Sequence, residues 1–410
     1  MATLNEIASS SPDKLNVSQA LITLAKTIQA SNESIDAFFL CTMGLLVYFM
    51  QAGFAFLEAG SVRSKGVTNI LIKNVLDAFF GGIAYYAMGW ALAYGEPSNW
   101  FCGTANFFLF NMPDGRLAQW FFEYVFAATA ATIVSGAMAE RCNFLAYIVY
   151  STFITGVVYP IISHWVWSPD GWLAKGFSID NGTITSGFHD FAGSGVVHAT
   201  GGIASFVGAA LLGPRLYRFD SETGKPQSMP GHSVPHVALG AFILYFTFLA
   251  FNGGSQMSIS NPGDGLALAI VMVNTILACS CGGTAGLIIS WLTSPHWSFL
   301  ETVNGSLAGT VAICSGCNVV YPWGACIIGA IGAGAYSLLS RLVLRLGVDD
   351  PASSIAVHYG GGVVGVLSVA FFDRSRGILL RWDRQSGLDL AVQILGLLVI
   401  TAWSGGLSAA

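Results

Sequence analysis

Apolar runs of about 18–25 residues, each long enough to span a bilayer, recur from Ala37 to near the end of this chain, with short polar stretches between them. Their hydropathy predicts eleven membrane-spanning helices, at roughly 37–58, 75–95, 119–139, 144–166, 190–212, 236–252, 264–292, 300–319, 322–346, 353–372 and 388–405. The seventh run is longer than a span needs and predicts a tilted or protruding helix. Residues 1–36 hold no long apolar run and read as an extramembranous arm. The pattern is that of an all-α polytopic membrane protein.

Composition agrees. Charged residues make up 10% of the 410, against roughly a quarter in a soluble domain. The 49 glycines suit close helix packing in lipid. A net charge of −5 argues against a nucleic-acid partner. Cys314 and Cys317 have redox-motif spacing, but like the other cysteines they fall in apolar surroundings and read as small hydrophobes. The N-terminus lacks the basic-then-apolar pattern of a signal peptide. No phosphate loop, dinucleotide fingerprint, zinc-protease motif or serine-hydrolase elbow is present, so no coupling or hydrolytic chemistry is indicated.

Loop charges orient the spans. With the N-terminus outside, the inner side holds nine Lys and Arg and the outer side eight, four of which crowd into the last loop as Arg374, Arg376, Arg381 and Arg384. Early helices usually set topology, so N-terminus out and C-terminus in is the expected arrangement. The sequons at Asn16, Asn32 and Asn181 then face outward.

Inside this apolar chain one stretch repeats. Asp190-Phe-Ala-Gly-Ser-Gly-Val-Val-His198-Ala-Thr-Gly-Gly202 returns 160 residues later as Asp350-Pro-Ala-Ser-Ser-Ile-Ala-Val-His358-Tyr-Gly-Gly-Gly362, with Asp, Ala, Ser, Val, His and two Gly in register. A fixed offset marks an internal repeat. The copies lie on the fifth and tenth spans, and an odd number of spans between them inverts the second copy. The fold expected is therefore two five-helix inverted repeats, about 37–212 and 236–372, plus a last helix at about 388–405. Such proteins place their site at the repeat interface near the midplane. Asp and His are eight apart in each copy, about 12 Å along a helix. His198 and His358 thus approach the middle of the bilayer from opposite faces.

Ionisable residues inside a membrane usually face a cavity or each other. Taken alone, each histidine could be a satisfied packing residue; the symmetric pair instead favours facing imidazoles along a narrow polar path. No third ligand at useful spacing supports a metal site. Asp190 suits a helix N-cap and could also supply negative charge to a cation above the path. Asp350, followed by Pro351, reads as a cap. Phe122 and Phe126, Trp165 and Trp167, and Phe248 and Phe251 gather at the expected outer ends, where rings can hold a small cation at about 0.5–2 kcal/mol each. Asn252-Gly-Gly-Ser255 adds a hydroxyl at that level. Glu58 to Lys65 and the Glu140-Arg141 pair read as local ion pairs anchoring loops.

Asp190 to His198 resembles the signature of the ammonium transporter family (Amt/Mep/Rh). Gly53-Phe-Ala-Phe-Leu-Glu-Ala-Gly60, Gly136-Ala-Met-Ala-Glu-Arg141, Phe251-Asn-Gly-Gly-Ser255 and the His358 segment extend the resemblance over essentially all eleven spans, closest to the eukaryotic Amt branch. The resemblance implies a homotrimer in the plasma membrane, surrounded by lipid, with one pore per subunit, ammonium or ammonia as substrate and no cofactor. It implies an outer recruitment site at Phe126, Trp167 and Ser255, with Phe122 nearby. It further implies a gate at Phe126 and Phe251, twin pore histidines at His198 and His358, and Asp190 as the acid supporting cation binding. The family usually continues into a cytoplasmic tail; this sequence stops at Ala410, which puts tail-borne regulation in question. Net movement of ammonium, conduction of ammonia gas, and an ammonium sensor with little flux are the readings the residues leave open. A membrane enzyme is not expected.

Overall fold

The computed structural model describes residues 17–294 and 296–410. Ten helices in it are long and apolar enough to cross a membrane: α1 Gln19–Ser61, α2 Ser64–Tyr94, α3 Asp114–Ala137, α4 Phe144–Lys175, α5 Ser194–Leu212, α6 Val234–Gly254, α7 Asp264–Thr293, α9 Pro322–Arg345, α10 Ile355–Phe372 and α11 Arg384–Ala409. The remaining predicted span is α8, Phe299–Ile313. Its helix stops six residues before the expected end at 319. The reason is local: the carbonyls of Cys314 and Ser315 accept hydrogen bonds from Ala192 N (3.0 Å) and Phe191 N (3.1 Å), so they serve the loop before α5 instead of a further helical turn.

The described part of the N-terminal arm is helical from Val17 and runs without a gap into the first span. Residues 1–16 lie outside the described residues, and with them the sequon at Asn16. A two-stranded hairpin, β1 Phe177–Ile179 paired antiparallel to β2 Ile184–Ser186, covers one end of the bundle. Leu266, Val273, Ile276, Trp291 and Leu292 on α7 stand exposed, as a face against lipid chains requires.

Backbone contact replaces side-chain interlock where α7, α8 and α9 meet. A Cβ on Gly282 would come 2.5 Å from Gly305 O, and one on Gly329 would come 2.2 Å from Ala278 O. Small residues that let helices touch in this way are a main source of packing energy in lipid.

The end of the bundle opposite the hairpin is tied by a buried ionic network. Arg215 Nε donates to Asp349 Oδ2 at 2.7 Å, and its Nη1 lies 3.3 Å from Glu140 Oε2. Glu140 also pairs with Arg63 at 2.8 Å, and Asp349 with Arg218 at 3.2 Å. These bonds join the loops after α1, α3 and α5 to the loop before α10. The expected local pairing of Glu140 with Arg141 does not form: Arg141 instead bonds the carbonyls of Gly213 and Asp349. Burial pushes the Glu140 and Asp349 carboxyls upward, but the arginine hydrogen bonds and charges outweigh it and hold both below their ordinary values.

A carboxyl held low stabilises the fold above its unfolded value and loses that contribution as pH falls through its folded value. Asp349→Asn, which removes the carboxylate that Arg141, Arg215 and Arg218 share, should therefore cost about 3–5 kcal/mol at pH 7. Thermal unfolding of purified protein should show this deficit unchanged down to pH 5 and closing only below the ordinary aspartate value of 3.8.

Candidate functional site

The two copies of the repeated stretch are built alike. Each histidine sits in a π-helical turn, Ser194–Ala199 on the way into α5 and Ile355–Gly360 at the start of α10. Such turns are rare and gather at functional sites. Asp190 satisfies the free amides of the first: its carboxylate accepts from Gly193 N (3.1 Å), Gly195 N (2.8 Å) and Val196 N (2.8 Å). Asp350 does the same for the second through Ser354 N (3.0 Å) and Ile355 N (2.7 Å).

The paired glycines of the repeat bring the two helices together. A Cβ on Gly202 would lie 2.4 Å from Tyr359 N, and one on Gly362 would lie 2.6 Å from Ser194 O. Gly201 likewise faces Ala130 of α3, and Gly361 faces Ala308 of α8. The crossing of α5 and α10 is thus a two-fold-like contact, with a histidine one turn before each glycine.

There the rings meet. His198 Nδ1 and His358 Nδ1 are 3.1 Å apart. The centroids are 5.2 Å apart and the planes differ by 15°, so the imidazoles lie edge to edge in nearly one plane. Both are buried. One proton fits between the two Nδ1 atoms. If both rings are neutral, the donor ring has a bare Nε2 and the acceptor ring an Nε2–H. The pair therefore presents an acceptor at one end and a donor at the other. His198 Nε2 is buried without a partner among the described residues.

Aromatic rings enclose the pair. Phe251 and Phe248 lie 5.4 and 5.6 Å from His198, and Phe54 lies 6.0 Å from His358. Phe126 stacks on Phe251 at 4.0 Å and 17°. Both rings are buried and part the histidines from a cavity of about 260 Å³. Tyr94, Gln119, Phe122, Glu123, Phe126, Trp167, Phe191, Ser255 and Met257 line that cavity. Trp167 stands edge-on to Phe126 at 80°, fixed by its Nε1–H donating to Asp190 O at 2.7 Å. Ser255 Oγ donates to Phe251 O at 2.9 Å, which leaves its lone pairs for a donor in the cavity.

Phe122, Phe126, Trp167 and Ser255 thus share one cavity, Phe126 forms its floor with Phe251 stacked behind it, and His198 and His358 adjoin below. Asp190 departs from expectation. It does not line the cavity; besides the three amides, its carboxylate accepts from Ser315 Oγ at 2.6 Å. Trp165 turns away and gives its Nε1–H to Phe101 O. Sequence reasoning missed Tyr94, Gln119, Glu123, Phe191 and Met257. Gln119 and Glu123 were within reach, since with Phe122 and Phe126 they fall on one face of α3. Among the described residues, no three His, Cys, Asp or Glu side chains gather as metal ligands. A buried donor–acceptor pair below a ring-lined mouth can pass a small neutral hydrogen-bonding molecule, or relay a proton, far more readily than an intact ion.

The sequence profile of the Ammonium Transporter Family matches residues 37–410. A relative from Caenorhabditis elegans is 47% identical over 391 residues, covering 91% of this chain and 72% of its own. Ammonium transporter 1 member 3 of Solanum lycopersicum is 40% identical over 397 residues, with 90% and 85% covered. A solved structure named Sensor Amt Protein superposes with a TM-score of 0.85 at 32% identity and covers 93% of each chain. Candida albicans Mep2 gives 0.81 at 25% identity, covering 92% of this chain and 83% of that one.

Asp190→Ala removes the acceptor of three amides and a hydroxyl, whereas Asp350→Ala removes that of two amides. With each stranded buried donor costing about 1–3 kcal/mol, the first variant should unfold at a clearly lower temperature than the second. Melting curves of the two purified proteins check the order.

Proposed function

The chain belongs to the ammonium transporter family, and from that premise we propose that it moves ammonium nitrogen by parting the ion from its proton at the ring-lined mouth. The observation carrying this reading is the buried imidazole pair directly beneath the Phe126–Phe251 stack. In this reading the cavity faces the outside of the plasma membrane, and each subunit of a homotrimer holds one pore.

At the mouth, the faces of Phe126 and Trp167 attract the cation, with Phe122 beside them, and Ser255 accepts one of its hydrogens. Potassium matches ammonium in size, so attraction alone does not separate them. Donating hydrogen bonds and losing a proton does. Carrying a charge into the apolar passage costs several kcal/mol even after relaxation. Ammonia escapes that cost, and potassium has no equivalent form. Once the stacked rings swing aside, ammonia donates to the bare Nε2 of one imidazole and accepts from the Nε2–H of the other.

The same pair gives the proton a route. A proton arriving on the bare Nε2 lets the bridging proton shift between the Nδ1 atoms and another leave from the far Nε2. Atoms balance, and the pair is left in its mirror tautomer. Retracing these hops would carry the proton back, so the reset takes a different route: ammonia accepts the proton of the outer Nε2 and delivers one to the inner Nε2 while the bridging proton shifts back, and the net transfer is of ammonia plus one proton. Asp190 supports this indirectly, by capping the turn that aims His198 and by holding Trp167.

The likeness to a structure named as a sensor keeps a second reading in view, in which ammonium binds and reports with little flux. Voltage clamp of cells expressing the full chain tests both. Ammonium at fixed pH should evoke an inward current, and His198→Ala or His358→Ala should reduce it at least tenfold or let potassium through. Intact uptake and selectivity in both variants would refute the pore assignment. Binding without current or uptake would favour the sensor.

A further inference from the structure

The mouth cavity contains a carboxylate that the reading above leaves unused. Glu123 is only 5% exposed, yet it lines the cavity. Its Oε2 is fully buried and has no hydrogen-bond partner among the described residues. No Lys, Arg or His forms an ion pair with it there. Arg116, two turns earlier on the same helix, gives its guanidinium to Gln119 (2.8 Å) and Glu96 (3.0 Å) instead. The Tyr94 hydroxyl, on the same cavity wall, is bonded to Ser163 and also lies within reach of the Glu123 carboxyl, whose Oε2 still has no partner.

Position follows from the sequence. Gln119, Phe122, Glu123 and Phe126 occur at i, i+3, i+4 and i+7 and so share a helix face. That face is the cavity wall, which puts the carboxylate one turn above the ring that forms the floor. The other lining side chains are aromatic, hydroxyl, amide or thioether groups. A negative charge in such a place is unfavourable unless something compensates it. A cation in the cavity would do so.

We propose that Glu123 is the anionic partner of the cation in the mouth cavity, so that the site selects ammonium and its small N-methyl derivatives by charge as well as by ring faces. The inference rests on the transport reading. It divides the labour at the mouth: Phe126 and Trp167 supply polarisable faces, Ser255 a neutral acceptor, and Glu123 the charge that Asp190, consumed by the α5 amides, does not direct into the cavity.

Uptake of labelled methylammonium by cells expressing the full chain, scaled to surface-labelled protein, tests it. Glu123→Gln keeps the shape and one acceptor but removes the charge. It should raise the half-saturating concentration at least tenfold, equivalent to about 1.4 kcal/mol, while Glu123→Asp stays within threefold of wild type. If Glu123→Gln saturates at the wild-type concentration, Glu123 is a protonated structural group and the inference is wrong. Should that variant fail to reach the surface, carbodiimide labelling of the wild-type protein decides. Ammonium should slow modification of Glu123 at least tenfold relative to sodium; no labelling, or equal labelling with both ions, overturns the proposal. Absence of uptake by the wild-type protein would count against transport itself, whereas normal uptake with an indifferent Glu123→Gln counts only against this assignment.

Discussion

The contact between His198 Nδ1 and His358 Nδ1 is the constraint on which the rest of the structure turns. Both rings are buried. Each supplies the partner that the other's nitrogen lacks, and pulled apart they would leave two stranded polar groups, each costing about 1–3 kcal/mol. Holding them together requires two helices in near backbone contact, hence Gly202 and Gly362 at the crossing. It also requires helix starts placed to within a fraction of an ångström, hence a capping aspartate on each. The repeated sequence encodes one half of a hydrogen-bonded pair, written twice.

Around this symmetric skeleton the two ends differ. At the hairpin end, α2, α3 and α4 contribute rings to a cavity with one carboxylate. At the other end, four loops converge on Asp349 and Glu140 through four arginines. The first end leaves polar atoms open toward a guest; the second spends nearly all of them on the fold. Inverted repeats give both ends the same backbone frame, so direction of function comes from side chains added to that frame. Burial of the Arg215–Asp349 pair makes the closed end intolerant of losing either partner.

Much of this was legible from spacing. Offset, span count and the Asp–His interval together put both imidazoles at one depth, because membrane thickness and helical rise leave little freedom. The rings of Phe122, Phe126 and Trp167 and the hydroxyl of Ser255 were legible as chemistry at a common level. What was not legible depended on loops. The arginine network joins residues 134 and 208 positions apart, and no periodicity connects them. The early end of α8 reflects carbonyls committed to the Asp190 loop, a tertiary choice invisible to hydropathy. Glu123 sat in an apolar run, where a lone acid is easily passed over, although its helical spacing from Phe126 placed it on the same wall.

Asp190 shows how one acid can be committed to the backbone of the helix it heads. An acid at the head of a helix leading into a pore invites the idea that its charge acts on the passing ion. Its oxygens, however, accept three amides and a hydroxyl, and the positive end of the helix dipole already stands against them. Little of that charge is left to act across the cavity. Its reach is mechanical instead: its backbone carbonyl holds the Trp167 indole, and its carboxylate sets the turn that carries His198. Charge in the cavity then has to come from an element whose own amides are satisfied. The middle of α3 is such an element, since each of its backbone groups is bonded within the helix and a side chain there has no local donor to absorb it. A capping acid builds the turn that it heads; an acid in mid-helix has no such backbone duty.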